Sequence, residues 1–249
     1  MKVVVLGAAG KLGRRLVASC LARGHVVTAA VRNPDQIGHV LGSVPATGLR
    51  VVRFDAMDPA TLDAALEGQD AMISAAGTVV DGQRFVELFD RVVTSAERVL
   101  GSERRVWMLA GAGVLDIPHA GRIGIGLPFV PGIYRPHLDN WRRLERSRLD
   151  WALMCPGPMV AGDDQPVPEG LEVSVDALPF AVGAWARFAP PIALSLVMKR
   201  NLGRLRVPYR SVADVITDSL EPGGRFSRRR VGIGWSGARG DAGRAGAAE

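Results

Sequence analysis

Lys2-Val-Val-Val-Leu-Gly-Ala-Ala-Gly-Lys-Leu-Gly-Arg14 is the stretch that decides the reading of this chain. Val3 to Leu6 form a short continuous apolar run, the pattern of a strand buried on both faces of a parallel sheet. Three glycines follow, and then Leu16, Val17, Cys20 and Leu21 recur at helical spacing. Gly7 permits a tight turn out of the strand, Gly10 lets a phosphate approach the backbone, and Gly13 lets the helix pack closely on the sheet. The N–H groups at the helix start, reinforced by the helix dipole, then face a pyrophosphate. A glycine triplet alone would fit a mere strand-helix contact. Here it has its strand before it and its helix after it, which favours nucleotide binding. The candidate phosphate-binding residues are Gly7, Ala9, Gly10, Lys11, Leu12 and Gly13.

Outward from this unit, strands and helices alternate. His25–Val31 reads as a second strand, closing on Arg32-Asn33-Pro34, and a short helix is predicted around Asp35–Leu41. Arg50–Phe54 reads as a third strand. Asp58-Pro59 supplies an N-cap and a first-turn proline for a helix to about Leu66. Ala71–Ala75 reads as a fourth strand, Gln83–Leu100 as a long amphipathic helix and Arg105–Leu109 as a fifth strand. Such alternation predicts an α/β fold, a doubly wound parallel sheet of Rossmann-like type. The second half is less regular: a loop at Gly121–Gly132, a helix at His137–Arg148, a strand at Trp151–Cys155, and no clear period over 159–204. Leu205–Pro208 reads as a short strand, Val212–Leu220 as a helix and Arg230–Ile233 as a last strand. The expected organisation is one domain over 1–235, with a small C-terminal substrate-side lobe at about 156–210. The Gly, Ala and Arg-rich residues 236–249 are expected to be a disordered tail.

The composition sets limits. A chain of 249 residues with 47% hydrophobic content can bury a core. Its net charge of +6 is rich in arginine but lacks the interleaved aromatics of a nucleic-acid groove, so no nucleic-acid partner is expected. Cys20 and Cys155 have no metal-ligand spacing and read as buried thiols; no metal is expected. The chain enters its first strand at residue 2 without a signal sequence, so a cytoplasmic location is expected. The apolar stretch Ala177–Met198 is cut by Arg187 and Pro190-Pro191 into pieces far short of the ~20 residues that span a bilayer. It is expected to cover the substrate pocket. The rival reading is peripheral membrane contact anchored by Arg187, Lys199 and Arg200. Oligomeric state is left open.

Arg32 carries the most chemical information. NAD-preferring sheets end the second strand on an acid that binds the ribose 2′-hydroxyl, about 20 residues past the glycines. A guanidinium there suits a 2′-phosphate and points to NADP. Lys11, Arg14 and Arg15 lie close enough in sequence to assist. Asp55, followed by Ala56, would sit beside the adenine, or would only form the turn before the next helix. Ala75, Ala76, Gly77 and Thr78, at the end of the fourth strand, have side chains small enough for a cofactor to lie against backbone.

Together, Gly-Ala-Ala-Gly-Lys-Leu-Gly, Val31-Arg32-Asn33-Pro34, Asp55, Gly68-Gln69-Asp70-Ala71, Gly77-Thr78, His137, Leu149-Asp150-Trp151, Cys155-Pro156-Gly157-Pro158, Gly162–Pro166 and Ser211–Val215 resemble the atypical short-chain dehydrogenase/reductase group. Within it the chain is similar to the biliverdin reductase B (flavin reductase) and NmrA-like NADP-binding proteins. The wider superfamily places a serine after the fifth strand and a Tyr-x-x-x-Lys pair beyond it. This chain has Ala110-Gly111-Ala112-Gly113, and Tyr134 is followed four residues later by Leu138. The resemblance therefore implies an NADPH-dependent reductase of a flat, conjugated, quinone- or flavin-like small molecule, which needs little acid from the protein. The alternatives are a non-catalytic NADP-binding redox sensor or protein-interaction module and, more weakly, a sugar-nucleotide epimerase/dehydratase. His137, as an imidazole of ordinary pKa, and Tyr134 are the candidate catalytic residues, and Trp141 is expected beside them.

Overall fold

The computed structural model describes residues 1–36, 47–161 and 170–235. In chain order its elements are β1 (Lys2–Leu6), α1 (Lys11–Ala22), β2 (Val26–Val31), β3 (Leu49–Arg53), α2 (Pro59–Leu66), β4 (Ala71–Ser74), α3 (Gln83–Val99) and β5 (Arg105–Leu109). Then follow β6 (Asp116–Ile117), β7 (Arg122–Ile123), α4 (Arg135–Glu145), β8 (Asp150–Cys155), β9 (Met159–Val160), β10 (Leu171–Val175), α5 (Pro191–Asn201), β11 (Val207–Pro208), α6 (Tyr209–Thr217) and β12 (Arg229–Trp235).

Eight strands form one sheet in the order β10-β12-β8-β5-β4-β1-β2-β3. All pairs are parallel except β10 with β12. The apolar runs of β1, β4 and β8 are buried along their length because helices cover both faces. On one face, α1 and α6 pack around Leu16, Val17, Cys20, Val212 and Ile216. Ser19 donates to Asp214 at 2.8 Å and Arg23 pairs with Asp218 at 2.7 Å across that contact. On the other face, α2, α3 and α4 cover Leu62, Phe89, Val92, Leu144 and their sheet neighbours. Arg143 of α4 bridges Asp90 and Glu97 of α3 there. The chain winds from β1 outward to β3, then returns to place β4 on the opposite side of β1. That reversal opens a crevice beyond the carboxyl ends of β1 and β4, the ligand position of such sheets.

The doubly wound parallel sheet is the architecture predicted from sequence, and β5 has the predicted bounds. Asp58 caps α2 by accepting from the Ala60 N–H at 3.0 Å, with Pro59 at the first position. The second half holds more structure than its sequence suggested. Leu171-Glu-Val-Ser-Val175 pairs antiparallel on the sheet edge, so segment 156–210 is tied to the main sheet through β10. Pro191, which read as a break, is the first residue of α5, where its fixed φ and missing N–H cost nothing. The loop at Gly121–Gly132 contains β7 and a single 3-10 turn at Gly124–Gly126. Of the helix expected at 35–41, only a 3-10 turn at Pro34–Gln36 lies among the described residues. The Gly162–Pro166 motif and the 236–249 tail lie outside them. No described helix is long and apolar enough to cross a membrane.

At the end of the sheet opposite the crevice, Arg105 and Asp150 open β5 and β8 as a buried ion pair, 3.2 Å apart. Asp150 also accepts from the Gly223 N–H and the Ser227 hydroxyl, and Arg105 donates to the Glu221 carbonyl. Burial lowers the Arg105 pKa, and the Asp150 carboxylate opposes that shift. Removing the carboxylate leaves the guanidinium buried without its counter-charge. Asp150→Ala is expected to lose about 3–5 kcal/mol in urea unfolding, with cofactor affinity unchanged in the folded protein.

Candidate cofactor and substrate site

Gly7 leaves β1 with φ +77, and its N–H and that of Ala8 both donate to the Ala30 carbonyl, at 3.0 and 3.3 Å. A Cβ on Gly7 would stand 2.9 Å from the Ala75 carbonyl, so the turn is held between the exits of β2 and β4. A Cβ on Gly13 would strike the Gly7 carbonyl and come within 2.8 Å of the Ala8 Cα. Only glycine allows α1 to start this close to the strand. Ala9, Gly10 and Lys11 are exposed, while Leu12 and Gly13 are buried. No side chain caps α1 and no acid lies in its first turn, so its leading N–H groups present partial positive charge to an anion.

Arg32 follows β2 directly; it is exposed and makes no hydrogen bond or ion pair with a described residue. Arg15 is placed differently from the sequence expectation: it donates to the Lys11 carbonyl at 2.5 Å and lies over the Tyr209 ring, turned toward α6. Asp55 forms the turn before α2, with its Oδ1 accepting from the Met57 N–H at 2.9 Å, and its side chain is exposed at the rim. Ala56 beside it is buried in the core. Ala75 and Ala76 are half-buried, and Gly77 and Thr78 are exposed.

Gly77, at φ +89, lies under Phe85, whose ring would be 2.7 Å from a Cβ at that position. Phe85 meets the His137 ring edge to face, with centroids 5.6 Å apart. His137 in turn lies against Gly111, where a Cβ would stand 3.1 Å from the imidazole. Phe85 and His137 thus bridge the exits of β4 and β5 across the floor of the crevice. Phe85 is not among the residues the sequence pointed to; its place in the first turn of α3, the helix that follows Gly77-Thr78, is the signal that could have found it.

Burial pushes the His137 pKa down to about 4, so the imidazole is uncharged at neutral pH. The expectation of an ordinary imidazolium donor does not hold at this position, because the ring is enclosed by Phe85 and backbone. Its Nδ1 is buried without a hydrogen-bond partner among the described residues, as are both side-chain polar atoms of Asn140, one turn further along α4. Tyr134 precedes α4 and is 43% exposed. Trp141 is half-buried against the core, with the Arg230 guanidinium 4.2 Å from its ring centroid. Cys20 and Cys155 are free, buried thiols whose pKa values burial raises, that of Cys20 to about 12.

Beside the crevice, the chain from Gly124 to Tyr134 covers the exit of β5. Ile125 lies against Gly113, and the turn at Gly132–Tyr134 packs on the turn at Val79–Asp81. This cover holds a cavity of about 400 Å³ lined by Ile125, Leu127, Pro128, Val130, Pro191 and Arg135, among others. Of the apolar cluster expected to close the pocket, Leu178, Phe180, Val182, Leu194 and Met198 pack inward. Trp185, Phe188, Ile192 and Leu196 face outward.

The glycine cradle, the uncapped helix and the exposed Arg32 guanidinium fit a dinucleotide phosphate. A family described as NAD(P)H-binding matches residues 7–187. The chain is 28% identical to sterol demethylase protein B of Methylococcus capsulatus, over 93% of this chain and 69% of that protein. It is 29% identical to an isoflavone reductase homolog of Zea mays, over 54% of this chain, and that match spans about half (53%) of the maize protein. Among solved structures, a candidate epimerase from Bacteroides thetaiotaomicron superposes with a TM-score of 0.72 at 22% identity, covering 96% of this chain and 99% of that one. At that identity the likeness is one of fold.

The His137 environment has a measurable consequence. Unfolded, the imidazole takes a proton below pH 6.5; folded, it stays neutral down to about pH 4. The unfolded state therefore binds more protons in that window, and the contribution of His137 to stability is lost as pH falls from 6.5 to about 4. His137→Gln is expected to remove this contribution. Urea unfolding at a series of pH values should show the stability difference between the two proteins shifting toward the variant across that window and staying constant above it.

Proposed function

This chain belongs to the NAD(P)H-binding family, and from that premise we propose that it is an NADPH-dependent reductase of a flat, apolar, conjugated small molecule of quinone or flavin type. The observation that carries the reading is the exit of β5. Ala110-Gly111-Ala112-Gly113 supplies no hydroxyl, and the one imidazole against it is neutral. An unconjugated ketone or an alcohol gains about 10²- to 10⁴-fold from a protein acid or base at that place. A conjugated acceptor spreads the incoming charge over its ring system and takes its proton from water.

The cofactor supplies a hydride when bound. The residues of the chain bind and orient. Gly7–Gly13 and the start of α1 hold the pyrophosphate, Arg32 pairs with the 2′-phosphate, and Asp55 lies at the adenine end. Ala75–Thr78, Phe85 and His137 form a flat, largely apolar floor at the other end. The neutral His137 offers a ring N–H or lone pair to orient a polar group without changing charge, and Tyr134 forms part of the wall. The similarity to sterol demethylase protein B and to an isoflavone reductase homolog supports polycyclic or aromatic substrates.

Fluorescence titration should give a lower Kd for NADPH than for NADH. Arg32→Ala should weaken NADPH by about 10- to 100-fold, the loss of a charged hydrogen-bond partner, and leave NADH nearly unchanged. Equal curves for the two cofactors in the unmodified chain would overturn the NADPH assignment. Oxidation of NADPH should be seen with a small naphthoquinone or free flavin. His137→Ala and Tyr134→Phe should each lower turnover by about tenfold or less. Tight NADPH binding with no oxidation by either acceptor would identify a non-catalytic NADP-binding module instead.

A further inference from the structure

We infer that the face built by the loop around Phe129 and by the segment from Trp185 through α5 docks on an anionic membrane surface. Two stretches far apart in sequence make this face. The Ser195 hydroxyl donates to the Pro128 carbonyl at 2.8 Å, and Met198 lies against Gly124. On the outside of that seam stand Phe129 at 84% exposure, Phe188 at 81%, Ile192 and Leu196 at 57% each and Trp185 at 53%. An apolar patch of this kind on a single chain marks an interaction surface. Phe129 holds φ +66, a left-handed backbone that a bulky residue seldom adopts, with its ring fully outward. The exposed ring comes with backbone strain rather than with relief of it.

The charge around the patch names its partner. Residues 117–138 and 177–213, which supply the face, contain no Asp or Glu, although the chain has 25 of them. The same stretches hold Arg122, Arg135, Arg187, Lys199 and Arg200. Arg187 lies over the Phe188 ring, 4.8 Å from its centroid, and Lys199 and Arg200 extend into solvent at the end of α5. Exposed aromatics set beside the exposed cations Arg187, Lys199 and Arg200 fit the interface of a bilayer that carries acidic headgroups. A second copy of the chain is a poor occupant, since a two-fold contact would bring the same cations together with no carboxylate from either stretch between them. The eleven-residue α5 is too short to span, so it lies along the surface. In this orientation the cavity lined by Pro128 and Pro191 opens beside the bilayer.

The test uses the full chain and needs no turnover. It is mixed with phosphatidylcholine vesicles, with or without phosphatidylglycerol, at about 0.1 M salt. Sedimentation with the phosphatidylglycerol vesicles is expected, and little with phosphatidylcholine alone. Trp185 is exposed while Trp107, Trp141, Trp151 and Trp235 are buried or half-buried, so binding should shift tryptophan emission to the blue. Trp185→Phe should abolish the shift while keeping sedimentation. Lys199→Glu with Arg200→Glu should weaken binding by about tenfold or more. No sedimentation with anionic vesicles, binding indifferent to the charge reversal, or self-association relieved by Phe188→Ser without vesicle binding would each overturn the proposal.

Discussion

The contact of Gly13 with Gly7 is the constraint on which the site depends. The start of α1 rests directly on the turn that leaves β1, and the turn is itself held between the Ala30 carbonyl and the Ala75 backbone. That closeness aims the uncapped N-terminus of the helix into the crevice between β1 and β4. A methyl group at either glycine would push helix and strand apart and move the anion-binding N–H groups away from the sheet's edge. Sheet topology and helix dipole therefore meet in one backbone contact.

A second set of contacts decides what the crevice can do. Gly77, Phe85, His137 and Gly111 form a continuous packed row from β4 to β5. The row closes the floor and desolvates the imidazole. A charged histidine would serve as an acid, whereas a neutral one serves as a fixed hydrogen-bonding wall. The same enclosure that shapes the floor thus lowers the imidazole pKa.

Stability is concentrated elsewhere. The buried Arg105–Asp150 pair ties β5, β8 and the chain after α6 together at the far end of the sheet. Arg230 does similar work nearer the site, reaching from β12 to the Val114 carbonyl, the Asp116 carboxylate and the Trp141 face.

By itself the sequence determined the doubly wound sheet, the glycine turn, the cap of α2 and the placing of Arg32 at the end of β2. Each is written in residues adjacent along the chain, through apolar runs, helical spacing or a required positive φ. It also held β10 in the alternation of Leu171, Val173 and Val175, a pattern too short to stand out among irregular neighbours. The tertiary structure decided the rest, because burial and proximity are properties of residues brought together from afar. Arg15 is taken up by Tyr209, Trp141 by Arg230, and His137 by Phe85 and Gly111. One apolar segment is likewise split into an inward half and an outward half, since only packing against the Gly124–Val130 loop distinguishes Leu194 and Met198 from Ile192 and Leu196.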